Sequence, residues 1–249
     1  MKVSLIYWTG YGSRDPLLAA KLMIYTKNTR LEQGVDTRTK VSMMDRAEVY
    51  KELEAMAITI RSSWEFVDFV FEIKEVTRAF THQLVRTRTG SYAQQAQRVV
   101  DMTNFGFELP DSVSTMGLEE EWRTLMDADS DFYHKMLLKG VPAQDARGVL
   151  PTNVHTNIIA KFNLRTMADL CAKRDNPRAQ GEYTNVVLAM KDEVYRHMPW
   201  TKMFIEPDRS KTPALDAILK RELGAASPVD KPELNQALKE LDQLKGTWG

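Results

Sequence analysis

What the chain has little of narrows the possibilities first. Cysteine occurs once, as Cys171, so no disulfide can close within the chain, and a reducing compartment is expected. The four histidines, His82, His134, His155 and His197, lie far apart. None has a second His, Cys or carboxylate at ligand spacing, so no metal centre is expected. No glycine-rich phosphate loop of the Walker or dinucleotide type occurs, which disfavours nucleotide hydrolysis and a Rossmann site. No apolar run approaches the roughly 20 residues needed to cross a bilayer. The opening MKVSLIYWTGYG is too short and too soon interrupted for a signal peptide, so a cytoplasmic protein is expected. Net charge is missing as well, since Lys plus Arg and Asp plus Glu both total 34. Coating a nucleic-acid polymer requires a basic surplus, so no such partner and no membrane are expected.

What is present suits a folded domain. The 249 residues, 43% apolar and 27% charged, can bury a substantial core as one large domain with or without an appendage. Lys2 to Trp8 reads as a buried strand ended by Thr9-Gly10. Asp15-Pro16 is a helix start, with Leu18, Leu22 and Tyr25 predicted on one face and a stop near Gly34. Asp45 opens a second helix carrying Val49, Leu53 and Met56. Phe69, Phe71 and Ile73 alternate with polar neighbours, which predicts a strand with one buried face. At Val76, Phe80 and Leu84 the period switches to that of a helix, which Thr89-Gly90-Ser91 breaks.

Residues 101 to 117 read as loop. Leu118, Trp122, Leu125, Phe132 and Met136 mark a long helix ending at Gly140, and Pro142 starts a short one ended by Leu150-Pro151. Met167, Leu170, Cys171 and Arg174 share a helical face, as do Tyr183, Val187, Met190 and Val194. This order predicts an α+β fold rather than a regular parallel one. After Pro207 the chain turns polar, so residues 1–207 are expected to form the main domain and 208–249 a helical C-terminal appendage.

Chemistry concentrates in HQLVRTRTGSYAQQAQR, residues 82 to 98. Arginine offers a flat fork of donors for phosphate or carboxylate. Glutamine carries the donor and the acceptor that reading a nucleobase edge requires. An anionic, base-bearing small molecule is one reading and a solvated helix end the other. The wider constellation is Arg86, Arg88, Arg98, Arg147, Arg165 and Arg174. An arginine on a buried face needs a partner, so either a bound anion or an internal acid such as Asp145, Asp169 or Asp175 should be waiting. Cys171, on an apolar helical face, reads as a small core residue and not as a nucleophile.

The segment FEIKEVTRAFTHQLVRTRTGSYAQQAQR resembles the signature region of the flavin-dependent thymidylate synthases, whose usual motif is Arg-His-Arg, seven residues, then Ser. SSWEF upstream, and ARGVLPTNVHT and FNLRTMADLCAKR downstream, resemble three further blocks of that family in the same order. The likeness covers roughly residues 15 to 206. It implies an α+β fold with a central sheet flanked by helices, assembled as a homotetramer whose active sites are shared between subunits. It implies FAD as cofactor, with methylenetetrahydrofolate as carbon donor, NADPH as reductant and a pyrimidine nucleoside monophosphate as substrate. The reaction would place a reduced methylene group on C5 of dUMP or UMP without a cysteine nucleophile, in keeping with the core reading of Cys171.

By the same resemblance, Ser62, Glu65, Arg86, Thr87, Arg88, Asn163, Arg165 and Asp169 would hold FAD. Gln83, Gln94, Gln95, Ala96, Gln97, Arg98, Arg147 and Arg174 would hold the nucleotide, with Arg98 and Arg147 on its phosphate. Arg174 would meet the pyrimidine carbonyl, and Arg86 would lie near both ligands, so these two are the expected catalytic residues. The glycine turn would let the arginines face the flavin while the amide-rich loop faces the nucleotide.

Departures from the family pattern cluster here. Thr87 stands for the central His and Ala96 for the motif Ser, Ala93 where Asn is common, and Val99 where Tyr is frequent. They lead us to expect retained methyl transfer with a shifted nucleotide preference. The alternatives are C5 modification of another pyrimidine nucleotide such as dCMP, or a degenerate oligomeric relative that binds flavin or nucleotide without turnover.

Overall fold

The computed structural model describes residues 1–29, 36–59, 61–103, 106–174 and 181–206. The expected helix stop near Gly34 and the expected appendage 208–249 fall outside them. Strand β1 (Lys2–Trp8) leads to helices α1 (Leu18–Asn28), α2 (Thr37–Met43) and α3 (Arg46–Ala57). A 3-10 turn, Arg61–Phe66, delivers the chain into β2 (Asp68–Thr77), α4 (Arg78–Leu84) and β3 (Ser91–Gln94). After α5 (Asp111–Thr115), α6 (Glu119–Leu138) and α7 (Ala143–Ala146) come β4 (His155–Asn163), α8 (Leu164–Arg174), α9 (Glu182–His197) and α10 (Lys202–Ile205).

The four strands make one antiparallel sheet in the order β1-β2-β4-β3. The arrangement is the expected α+β one, a sheet with helices packed on it. Phe69, Phe71 and Ile73 of β2, and Ile158, Ala160 and Phe162 of β4, project to one face and are buried in one core with residues of α1, α3, α8 and α9. Burying each such side chain stabilises the fold by about 1.5–3 kcal/mol. Helix α3 begins as its sequence implies, with a capping box in which the Asp45 side chain accepts from the Glu48 amide at 2.8 Å and the Glu48 carboxylate accepts from the Asp45 amide at 2.8 Å. A smaller second core gathers Met102, Tyr133, Ala146 and Val154 where α6 and α7 meet the end of the sheet.

Several expectations are corrected. Strand β3 has no signal in the residue pattern, whereas the strand-like apolar run expected after DARGVLP is β4, HTNIIAKFN, its alternation weakened by Asn157 and Asn163. The loop-like stretch 101–117 contains the short helix α5. Helix α1 starts at Leu18, with the Asp15 carboxylate accepting from the Leu17 amide just before it. It buries Ala19, Ala20, Met23 and Ile24 while Leu18 stays 45% exposed, so Leu18 does not join the core as expected. In α6 the side chains packed inward are Met126 and Tyr133, and the apolar markers Leu118, Leu125 and Phe132 are exposed.

One irregularity matters for the site. Strand β2 bulges between Ile73 and Val76, and Glu75 there has φ 57°, the left-handed region. The Glu75 amide, freed from the ladder, donates to Asn157 Oδ1 at 3.1 Å.

Candidate active site

The arginine stretch hangs from α4. Thr77 caps this helix, its hydroxyl accepting from the Phe80 amide at 2.9 Å. The Glu182 carboxylate at the start of α9 holds Thr77 in turn, accepting from its amide at 2.7 Å and its hydroxyl at 2.5 Å. Phe80, Thr81 and Leu84 face the core, which leaves His82, Gln83 and Arg86 outward.

Two successive turns then close, with the Thr87 amide on the Leu84 carbonyl at 3.0 Å and the Gly90 amide on the Thr87 carbonyl at 3.0 Å. Gly90 is needed for space rather than for an unusual φ. A Cβ there would lie 2.5 Å from the Tyr92 hydroxyl and 2.6 Å from Phe162 Cε1, and Gly90 is absent from the positive-φ glycines. The Thr166 hydroxyl donates to the Thr89 hydroxyl at 3.0 Å and ties the turn to α8.

Between this turn and the C-terminal end of α8 opens a cavity of about 550 Å³, lined by Gln83, Arg86, Thr87, Arg88, Thr89, Leu170, Lys173, Arg174 and Tyr183. It collects four cations and no carboxylate. The Arg174 guanidinium lies over the Tyr183 ring, 3.9 Å from its centroid. Among the described residues, none of Arg86, Arg88, Arg98, Arg147 or Arg174 has an ion pair. Of the acids considered as partners for Arg174, Asp169 pairs with Arg61 instead, at 3.4 Å, and Asp175 lies outside the described residues. A cationic cavity without internal neutralisation suits an anionic ligand, and its donors fit a dinucleotide flavin or a nucleoside monophosphate.

The loop after β3 is anchored differently. Gln94 Nε2 donates to the Thr81 hydroxyl at 2.9 Å, and the Gln95 amide donates to the Asn157 carbonyl at 3.0 Å. Asn157 Nδ2 donates to Gln95 Oε1 at 3.0 Å, so one asparagine joins the β2 bulge to this loop. Ala96 is exposed and its carbonyl accepts from the Val99 and Val100 amides. Gln97 is only 7% exposed, and its Nε2 has no hydrogen-bond partner among the described residues. The amides expected to read a base are thus directed largely into the protein. Arg98 is exposed and the Arg147 Nε donates to the Gln144 carbonyl at 3.1 Å.

Arg78, at the first residue of α4, was not among the sequence candidates. Burial, and secondarily the nearby charge of Arg147, lower its pKa from the ordinary value. Its carbonyl accepts from the Thr81 hydroxyl at 3.0 Å, the same hydroxyl that holds Gln94. Two like charges within electrostatic range, neither with a carboxylate among the described residues, mark a place for an anion. Thr77-Arg78 stands just ahead of the arginine stretch in sequence, but one arginine at a helix start looks like an ordinary surface charge.

A third group stands apart from the cavity. Arg165 pairs with Glu65 at 2.7 Å, and Asn163 Oδ1 accepts from the Thr166 amide at 2.8 Å, capping α8. Ser62, Glu65, Asn163, Arg165 and Asp169 therefore gather around the start of α8, and none of them lines the cavity that holds Arg86, Thr87 and Arg88. Among the described residues no three metal-ligating side chains cluster. None of the described helices is long and apolar enough to cross a membrane.

Comparison with known proteins gives a family match. The model of the family described as "Thymidylate synthase complementing protein" matches residues 7–200. A flavin-dependent thymidylate synthase of Geobacter sulfurreducens is 34% identical over 194 residues, covering 76% of this chain and 80% of the relative. One from Sulfolobus acidocaldarius is 32% identical over 201 residues, covering 80% of this chain and 74% of the relative. A third, from Sulfurisphaera tokodaii, is 28% identical over 232 residues, covering 89% and 87%.

Proposed function

The chain belongs to the thymidylate synthase complementing protein family, and from that footing we propose that it is a flavin-dependent pyrimidine nucleotide C5 methyltransferase acting on dUMP, UMP or both. The observation that carries this reading is the set of guanidinium groups around the α4 turn and α8 that find no acid within the described residues. Arg86 and Arg88 are exposed and Arg174 is partly buried; four cations gathered without a carboxylate repel one another, so the grouping together with the family match favours a site that takes up anions.

Methylenetetrahydrofolate supplies the carbon and NADPH the reducing equivalents. FAD, when bound, carries the redox chemistry. Arg86 and Arg88 hold its anionic part against the cavity wall, and Thr87, lacking the ring of the family's histidine, leaves more room there. Arg98, Arg147 and Arg78 form the phosphate subsite, where three cations offset the charge of a monophosphate. Arg174 faces the pyrimidine carbonyl, where electron density rises as C5 becomes nucleophilic. A guanidinium already oriented on Tyr183 meets that charge without reorganising. Ala96 removes a hydroxyl beside the base, which loosens selection rather than the reaction. The separation of the Ser62–Asp169 group from the cavity suits a homotetramer in which neighbouring subunits complete each site.

Purified protein given FAD, NADPH, methylenetetrahydrofolate and, in parallel, dUMP, UMP or dCMP tests this by mass spectrometry. A product heavier by a methyl group from dUMP or UMP is expected. Flavin binding with no methylated product from any of the three would replace the proposal with that of a non-catalytic binding protein.

A further inference from the structure

The cavity depends on the path of the chain between Leu84 and Gly90, yet that path has little of its own to hold it. Helix α4 ends in Val85 with αR backbone, and no residue from Val85 to Gly90 adopts a positive φ, so the usual glycine-type C-cap is missing. The carbonyls at a helix end must then find donors elsewhere. They find one on the next strand. The Tyr92 hydroxyl lies 3.0 Å from the Leu84 carbonyl and 2.7 Å from the Thr87 carbonyl. These are the same two oxygens that accept the Thr87 and Gly90 amides and so close the two turns, one holding Arg86 and the next Arg88.

The tyrosine is itself well placed for this task. Its ring packs edge-on against Phe162 of the neighbouring strand, with centroids 5.8 Å apart. Gly90 is the gap through which the phenol reaches the carbonyls, since a Cβ there would meet both Tyr92 and Phe162. Burial raises the Tyr92 pKa to about 12, so the hydroxyl keeps its proton and remains a donor at physiological pH.

We infer that Tyr92 is a positioning residue: its hydroxyl, acting as a C-cap donated from β3, sets the Arg86–Arg88 turn in the geometry that takes up the flavin. The inference rests on the reading of this cavity as a flavin site. Tyr92 touches neither ligand in this role; it acts through the arginines.

Tyr92→Phe removes the hydroxyl and keeps the ring, and hydrogen exchange on the full chain without ligand reads the turn directly. Protection of the Thr87 and Gly90 amides is expected to fall by roughly tenfold, while amides of α8 keep theirs. In parallel, titration with FAD is expected to show affinity lower by roughly tenfold in Tyr92→Phe, with the melting temperature nearly unchanged. Gly90→Ala, which displaces the ring but keeps the hydroxyl, should give the same local pattern. Unchanged protection in both variants would overturn the capping role whatever the protein binds. Lowered protection with unchanged flavin affinity would overturn the positioning role. Failure of the unmutated protein to bind FAD would instead sink the proposed function and the flavin part of this inference together, leaving exchange to decide the cap alone.

Discussion

Arg174 and Tyr183 are held face to face, the guanidinium 3.9 Å from the ring centroid, although they sit on different helices. Tyr183 belongs to the first turn of α9 and is buried, so the flat cation at the end of α8 rests on a fixed platform. Such a contact is worth about 0.5–2 kcal/mol and, more importantly here, orients the donors. Arg174→Lys keeps the charge but loses the fork and much of the stacking. Turnover of the methylated nucleotide is expected to fall by about 10²–10³-fold with flavin affinity intact, checked by product formation against FAD titration.

Arg78→Met tests the third cation of the phosphate subsite. The expected outcome is a KM for the nucleotide raised by roughly tenfold or more, with kcat close to that of the unmutated protein. The corresponding nucleoside, which has no phosphate, should bind the variant and the parent alike. Equal nucleotide KM values would remove Arg78 from the site.

Ala96→Ser restores the hydroxyl that the family motif carries. A neutral hydrogen bond contributes about 0.5–1.5 kcal/mol, so the ratio of kcat/KM for dUMP over UMP should move by roughly 2- to 12-fold and not by orders of magnitude. Competition between the two substrates in one tube measures that ratio without active-site titration.

Stability at high pH reports on Tyr92. Its pKa is raised from 10.0 to about 12, so the neutral form is favoured in the fold, and the unfolded chain releases that proton earlier. The contribution is complete below pH 10 and is lost as pH climbs toward 12. Thermal melts across that range should show a steeper decline for the unmutated protein than for Tyr92→Phe.

Asn157→Ala cuts both the Glu75 amide and the Gln95 side chain loose from β4. Leaving such groups unsatisfied costs about 1–3 kcal/mol, to be read from urea unfolding, and the nucleotide KM should rise while FAD affinity holds.

Much of this architecture could be read from residue order alone. The alternation through Phe69, Phe71 and Ile73 and the capping box at Asp45 are local signals, and the structure realises both. What escaped was set by distant packing. Strand β4 carries polar Asn157 and Asn163 because one fastens a bulge and the other caps a helix, and neither task is visible without the neighbours. Helix α1 turns its alanines inward where it packs against the Arg61–Phe66 turn, α2 and α3. At the site, the arginines declared themselves by type, but the direction of the glutamines did not. Gln94 and Gln95 face partners on α4 and β4 that no spacing rule connects to them.

The lone thiol offers a clock for the cationic helix. Cys171 lies one turn before Arg174 on α8 and is 2% exposed, so a thiol reagent can capture it only when that layer opens. With no second sulfhydryl to confuse the signal, the capture rate under native conditions counts openings of α8 directly. Whatever ligand settles against Arg174 should slow that count in proportion to its occupancy, which turns the chain's scarcest side chain into its own binding sensor.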